Sequence, residues 1–216
     1  MSRKIRSYES DEVTVDFDAK RCIHAEECVH GLPEAFDASR RPWIDPTRAS
    51  RDDLIRVIER CPTGALQYRR RDGAEGEPPP PTNTMSVDAD GPLYLRGHLR
   101  LTLPQGETLE ERRIALCRCG HSKDKPFCDN SHRDEGFSDT GEFSESRLAQ
   151  SGEDQSETLD ISLAPNGPIL VRGPIHLRTN QGTTAEGTSG ALCRCGLSAA
   201  KPFCDGSHKA AGFEAD

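Results

Sequence analysis

One feature limits this chain more than any other: it contains the same segment twice. Gly91-Pro92-Leu93-Tyr94-Leu95-Arg96-Gly97 returns as Gly167-Pro168-Ile169-Leu170-Val171-Arg172-Gly173, at an offset of 76 residues. Cys117-Arg118-Cys119-Gly120 returns as Cys193-Arg194-Cys195-Gly196 at the same offset. Between 91–137 and 167–213, 25 of 47 positions are identical without a gap, so the second segment is a duplicate of the first. In each copy apolar residues alternate before the cysteines, as at Leu93, Leu95, Leu99, Leu101 and Leu103, which is the period of half-buried strands. Gly97 and Pro104-Gln105-Gly106 read as turns between short strands.

Composition narrows the rest. Only 33% of the 216 residues are hydrophobic, against 19 glycines and 15 prolines. That balance excludes one large packed core and points to small domains that need staples. No apolar run approaches the ~18 residues of a membrane span. Met1-Ser2-Arg3-Lys4-Ile5-Arg6 is too polar for a signal-peptide core. The expectation is a cytoplasmic protein without a membrane partner, in which nine cysteines mean metal or redox chemistry rather than disulfides. A net charge of −8 disfavours nucleic acid as a partner.

The chain divides accordingly. Residues 1–70 form a first domain. Residues 71–84, with Pro78-Pro79-Pro80-Pro81, read as a stiff spacer. The repeats occupy 85–137 and 161–216. Between them, 138–160 holds seven acidic residues and one arginine and reads as a mobile acidic surface connection.

Each repeat carries four metal-type ligands: Cys117, Cys119, Cys128 and His132 in the first, Cys193, Cys195, Cys204 and His208 in the second. Residues two apart in an extended loop point the same way, so each Cys-x-Cys pair can hold one metal atom. Cys128 and His132 share a face if a helix starts there, and Asp129 or Ser131 could cap it. Two pre-shaped pairs suit a two-iron cluster, one pair per iron. The same set could hold one tetrahedral zinc.

The run Cys193, Cys195, Ser198, Pro202, Cys204-Asp205-Gly206-Ser207-His208 resembles the CDGSH, or NEET, iron–sulfur signature throughout. The first copy departs from it once, with Asn130 in place of the glycine. Asparagine is the next-best residue for left-handed backbone, so the local fold should survive. The resemblance implies a 2Fe–2S cluster at each site, held by three cysteines and one histidine. Two motifs in one chain further resemble members that build a pseudo-dimer within a monomer. A histidine ligand competes for protons near neutrality and raises the reduction potential relative to a fourth thiolate.

In the first domain, Cys22 and Cys28 are followed far downstream by Cys61-Pro62. Val13–Phe17 alternates like a strand, Ala25–His30 suits a helical turn, and Trp43-Ile44 a second strand. Ser50 starts an amphipathic helix with Leu54, Ile55, Val57 and Ile58 inward, and Ala65–Tyr68 closes the domain as a strand. This pattern resembles single-cluster bacterial ferredoxins, with Ala25 at the usual second ligand position. Three cysteines with alanine there resemble the 3Fe–4S group. The run also resembles the divergent mono-cluster domain found beside CDGSH motifs. His24 stays open: as a fourth ligand it would permit a 4Fe–4S cluster, and otherwise it is a surface neighbour.

The fold expectation is therefore α+β: a small ferredoxin-like domain followed by a strand-rich tandem CDGSH pseudo-dimer whose copies share one β region. The resemblances imply an electron-transfer or cluster-transfer protein. It would carry two 2Fe–2S clusters and one 3Fe–4S or 4Fe–4S cluster, with a redox protein or an apo iron–sulfur protein as partner. A redox or iron sensor and a structural zinc protein are the alternatives. No nucleophile elbow or phosphate-binding glycine loop suggests catalysis on an organic substrate.

Overall fold

The computed structural model describes residues 5–150 and 157–215. The chain forms two compact units that divide between Pro78 and Pro79, inside the proline run. Among the described residues no helix is long and apolar enough to cross a membrane.

In the first unit, β1 (Ile5–Glu9), β2 (Val13–Asp18), α1 (Glu27–Gly31), α2 (Arg51–Ile58) and β3 (Leu66–Arg70) follow in order. The strands form one antiparallel sheet with β2 at its centre. Val13 and Val15 of β2 and Leu66 and Tyr68 of β3 are buried together with Leu54, Val57 and Ile58 of α2. The helix begins where its chemistry allows: the Ser50 hydroxyl oxygen accepts from the Asp53 backbone N–H at 3.2 Å. β1 was not legible in the sequence. Its residues are mostly exposed, and backbone pairing with β2 holds it as an edge. Trp43-Ile44 does not form the expected strand. Ile44 makes one isolated bridge to Phe36, because Pro42 and Pro46 flank it without backbone donors.

The second unit runs β4 (Thr84–Val87), β5 (Leu93–Thr102), β6 (Thr108–Leu116), α3 (Ser131–Asp134), β7 (Leu159–Leu163), β8 (Ile169–Thr179), β9 (Thr184–Leu192) and α4 (Ser207–Ala210). All six strands belong to one sheet. β5–β6 and β8–β9 are hairpins, one per copy. The short strands join the copies. β4 pairs antiparallel with β5 of its own copy and parallel with β8 of the other. β7 pairs antiparallel with β8 and parallel with β5. Four strands therefore close on themselves around a single core, in which Met85, Leu95, Leu99 and Leu101 of the first copy meet Ile161, Val171, Ile175 and Leu177 of the second.

Two expectations are corrected here. Gly97 is not a turn: β5 runs through it, with a register shift against β6 between Arg96 and Leu99. The glycine is there because a Cβ would overlap the Asn83 side chain and lie 2.9 Å from its Cα. The described part of the acidic connection is not a mobile surface connection either. Its residues 151–156 lie outside the described set, but Asp139–Gln150 pack on the second unit. Phe143 meets Phe203 edge-on at 5.6 Å, Leu148 joins the core, and Ala149 bridges Ser189. Composition hid two apolar anchors among the charges.

Asn83 is the polar tie at the crossing of the copies. Its Nδ2 donates to the Glu157 and Pro174 carbonyls at 2.9 and 3.0 Å, and its Oδ1 accepts from the His98 N–H at 2.8 Å. Asn83→Ala leaves these groups unpaired in a buried place, so the unfolding free energy should fall by about 2–4 kcal/mol. Denaturant unfolding of the full chain checks this. A change within about 0.5 kcal/mol, the range of ordinary surface substitutions, would remove Asn83 from that role.

Candidate metal centres

The two repeats build the same pocket from the same parts. β6 delivers Cys117 and β9 delivers Cys193. Each cysteine loop is pinched at its base. The Cys117 N–H donates to the Pro126 carbonyl at 2.8 Å, and the Cys128 N–H to the Ala115 carbonyl at 2.9 Å. Cys193 with Pro202 and Cys204 with Ala191 repeat these bonds at 2.8 and 2.9 Å. The next turn is left-handed, at Asn130 (φ 73°) in one copy and Gly206 (φ 90°) in the other, so asparagine does adopt the conformation expected of it. The short helices α3 and α4 then place the histidines. Asp129 and Asp205 stand one residue before each helix cap. Their carboxylates accept from the Ser131 and Ser207 N–H groups and, across the loop, from those of Lys123 and Ala199.

The donors stand as two pairs per site. Cys117 and Cys119 Sγ are 3.6 Å apart, and Cys128 Sγ is 3.4 Å from His132 Nδ1. In the second site the distances are 3.9 Å for Cys193–Cys195 and 3.4 Å for Cys204–His208. Backbone N–H groups of His121, Asn130 and Gly206 lie 3.4 Å from the sulfurs of Cys119, Cys128 and Cys204, two residues before each. This donor set fits a cationic iron–sulfur group: softer sulfur ligands, one imidazole, and amides that stabilise negative sulfur. Cys117, which takes a hydrogen bond from Cys119, is held down at about 6, whereas its partner Cys119 is pushed up by that same bond and by burial. Burial likewise pushes Cys128 up to about 11. A bound cation supplies the stabilisation that these thiolates lack on their own. No group of three or more His, Cys, Asp or Glu among the described residues is gathered around one point as for a single ion.

The third group lies in the first unit. Cys22, Cys28 and Cys61 line one open cleft of about 620 Å³, together with His24, Ala25, Phe17 and Trp43. Burial pushes Cys22 up and Cys28 to about 11; Cys61 raises Cys22 further, and Cys61 and Cys22 raise Cys28. Cys22, Cys28 and Cys61 thus share one cleft, and each CDGSH loop holds its four expected donors as two close pairs.

Residues 90–133 and 166–209 each match the family described as "Iron-binding zinc finger CDGSH type", and residues 8–71 match the family described as "Divergent 4Fe-4S mono-cluster". The chain thus carries two CDGSH iron-binding domains and, at its N-terminal end, a divergent 4Fe–4S mono-cluster domain. It is also similar to the "Uncharacterized protein YjdI" of Escherichia coli strains K12 and O157:H7. Each is 36% identical over 66 residues, which cover 31% of this chain and 87% of YjdI.

Two parts of the CDGSH sites escaped the sequence reading. The first is the arginine inside each Cys-Arg-Cys. Arg118 and Arg194 are among the largest fully buried side chains, 0% and 1% exposed. Arg118 donates to the Gly91 and Asp88 carbonyls at 3.0 and 2.8 Å and pairs with the Asp139 carboxylate. Its guanidinium sits 5.0 Å over the Phe137 ring. Arg194 donates to the Gly167, Ala164 and Ala215 carbonyls and lies 5.6 Å over Phe213. Each arginine thereby ties a cysteine loop to the start of its own long strand and to the segment behind its helix. The available signal was its identity in both copies beside Gly91/Gly167 and Phe137/Phe213.

The second part is reciprocal. A Cβ on Gly120 would lie 2.5 Å from the Cys195 carbonyl oxygen, and one on Gly196 would overlap the Cys119 carbonyl. The two cysteine loops touch backbone to backbone, and only glycine allows it. Gly120→Ala or Gly196→Ala should therefore lower the iron retained by the CDGSH unit by about half or more, because each intrudes on the other site's ligand loop. Gly136→Ala is the control, since that glycine is also left-handed (φ 62°) but has open space around it. Equal iron content in all three variants would show that the contact is dispensable.

Proposed function

We propose that this protein is an electron carrier holding two 2Fe–2S clusters side by side in its CDGSH unit and a third cluster, 3Fe–4S or 4Fe–4S, in its first unit. The observation that carries this reading is the backbone contact between the Cys119–Gly120 and Cys195–Gly196 loops, which sets the two donor groups next to one another. An iron–sulfur group bound there takes up and returns one electron at a time. The protein's own residues hold the ligands, dry the sulfurs and supply the amides that tune them. Cys117, Cys119, Cys128 and His132 are all buried, which suits retention of the group. In this reading the CDGSH unit acts as a pseudo-dimer within a cytoplasmic monomer, and the partner is a redox protein.

One observation favours cluster donation as a second reading. Cys204 and His208 are only half-buried, while their counterparts Cys128 and His132 are buried, so the second site is the more accessible of the two. A single anaerobic experiment separates the readings. Chemically reduced holo-protein is mixed with an oxidised haem protein, and separately with an apo-ferredoxin. Electron transfer with all iron retained supports the carrier. Iron passing to the apo-ferredoxin, lost first from the second site, supports donation. Neither event, with zinc in place of iron, would sink both.

A further inference from the structure

We propose that the imidazole of His24 is the fourth protein ligand of the N-terminal cluster, closing a four-iron site that three cysteines leave open. This rests on the reading that residues 8–71 bind a cluster. A four-iron cube ordinarily takes one protein ligand at each of four corners. The domain matches a four-iron mono-cluster family, yet Cys22, Cys28 and Cys61 are the only cysteines in its unit, and Ala25 has no donor atom. One corner must find another group.

The walls of the cleft supply few. Glu27 is engaged by Arg60 at 2.5 Å, and Glu26 faces His30 at 3.7 Å. Thr63 Oγ1 accepts from the Ala65 N–H and lies 3.6 Å from Cys61 Sγ. Tyr8 would have to lose a proton that ordinarily leaves only near pH 10. His24 remains, with a neutral imidazole that binds iron well.

Its surroundings set it apart from the other histidines. His30, His98, His121 and His176 each face a glutamate, and His132 and His208 each face a cysteine sulfur. Among the described residues, the His24 side chain alone has neither a hydrogen bond nor an ion pair, although it lines the same cleft as the three cysteines. Its backbone is left-handed (φ 54°), as is that of Glu26 (φ 61°). Side chains other than glycine accept that conformation at a cost, which is commonly met at binding sites. The His24 backbone lies near enough to the Cys22 sulfur, two residues before it, to favour its thiolate. The same two-residue step recurs at Cys119, Cys128 and Cys204. His24 is exposed and stands next to Ala25 in the cleft wall, one residue from the position that lacks a donor.

The test compares the full chain with His24→Gly and His24→Cys, each loaded with iron and sulfide without oxygen and then examined by iron analysis and electron paramagnetic resonance. Glycine keeps the left-handed backbone without a donor. The expected wild type holds about eight irons and gives no signal when oxidised, as two-iron and four-iron clusters do. His24→Gly should hold about seven irons and show the signal of an oxidised three-iron cluster, reversed by imidazole with ferrous iron and one electron from added dithionite, and His24→Cys should match the wild type. A three-iron signal in the wild type overturns the proposal, and so does a His24→Gly protein that keeps its fourth iron. About four irons in every variant would remove the underlying reading as well, because only the CDGSH sites would then be loaded.

Discussion

The CDGSH unit depends on two short parallel pairings. β4 adds to β8 of the other copy, and β7 to β5, so neither repeat completes its sheet alone. Each long strand keeps one apolar face, and only the ring formed with the partner copy's strands gives that face a closed core. This explains how a chain with 33% hydrophobic residues can still bury one full face of both long strands. It also fixes where the hairpins end. β6 and β9 both run into their cysteines, and the two loops meet at Gly120 and Gly196.

The buried arginines follow from the same constraint. A guanidinium out of water is costly unless its donors are satisfied. Arg118 and Arg194 meet that condition with backbone carbonyls from the start of the repeat and from the segment after its helix. A loop rich in cysteine has little apolar area with which to hold itself. It is secured here by the hydrogen bonds of a buried cation and by an aromatic ring over that cation. Most of the cysteine ligands are therefore buried with the core.

The sequence carried the ligand groups well because ligand spacing is local chemistry. Cys128-Asp129-Asn130-Ser131-His132 dictates a left-handed residue and a helical turn whatever surrounds it, and both are present. α2 was equally legible, since Ser50 and the spacing of Leu54, Val57 and Ile58 are local signals. What was not legible depends on distant partners. Gly97 looks like a turn until Asn83 is seen to occupy the space beside it. Arg118 looks like surface charge until Gly91, Asp88 and Asp139 close around it. β1 has no apolar pattern, because a strand at a sheet edge needs only its neighbour's backbone. The acidic connection misled for the opposite reason: its average composition concealed Phe143 and Leu148.

The central claim is that each CDGSH site is two ligand pairs, one of two thiolates and one of thiolate with imidazole, holding a two-iron group. Mössbauer spectroscopy of the iron-57-loaded chain with Cys22, Cys28 and Cys61 replaced by serine isolates these sites. About four irons per chain are expected in two equally populated environments, one all-sulfur and one of mixed sulfur and nitrogen. A single iron environment, or zinc in place of iron, would contradict it.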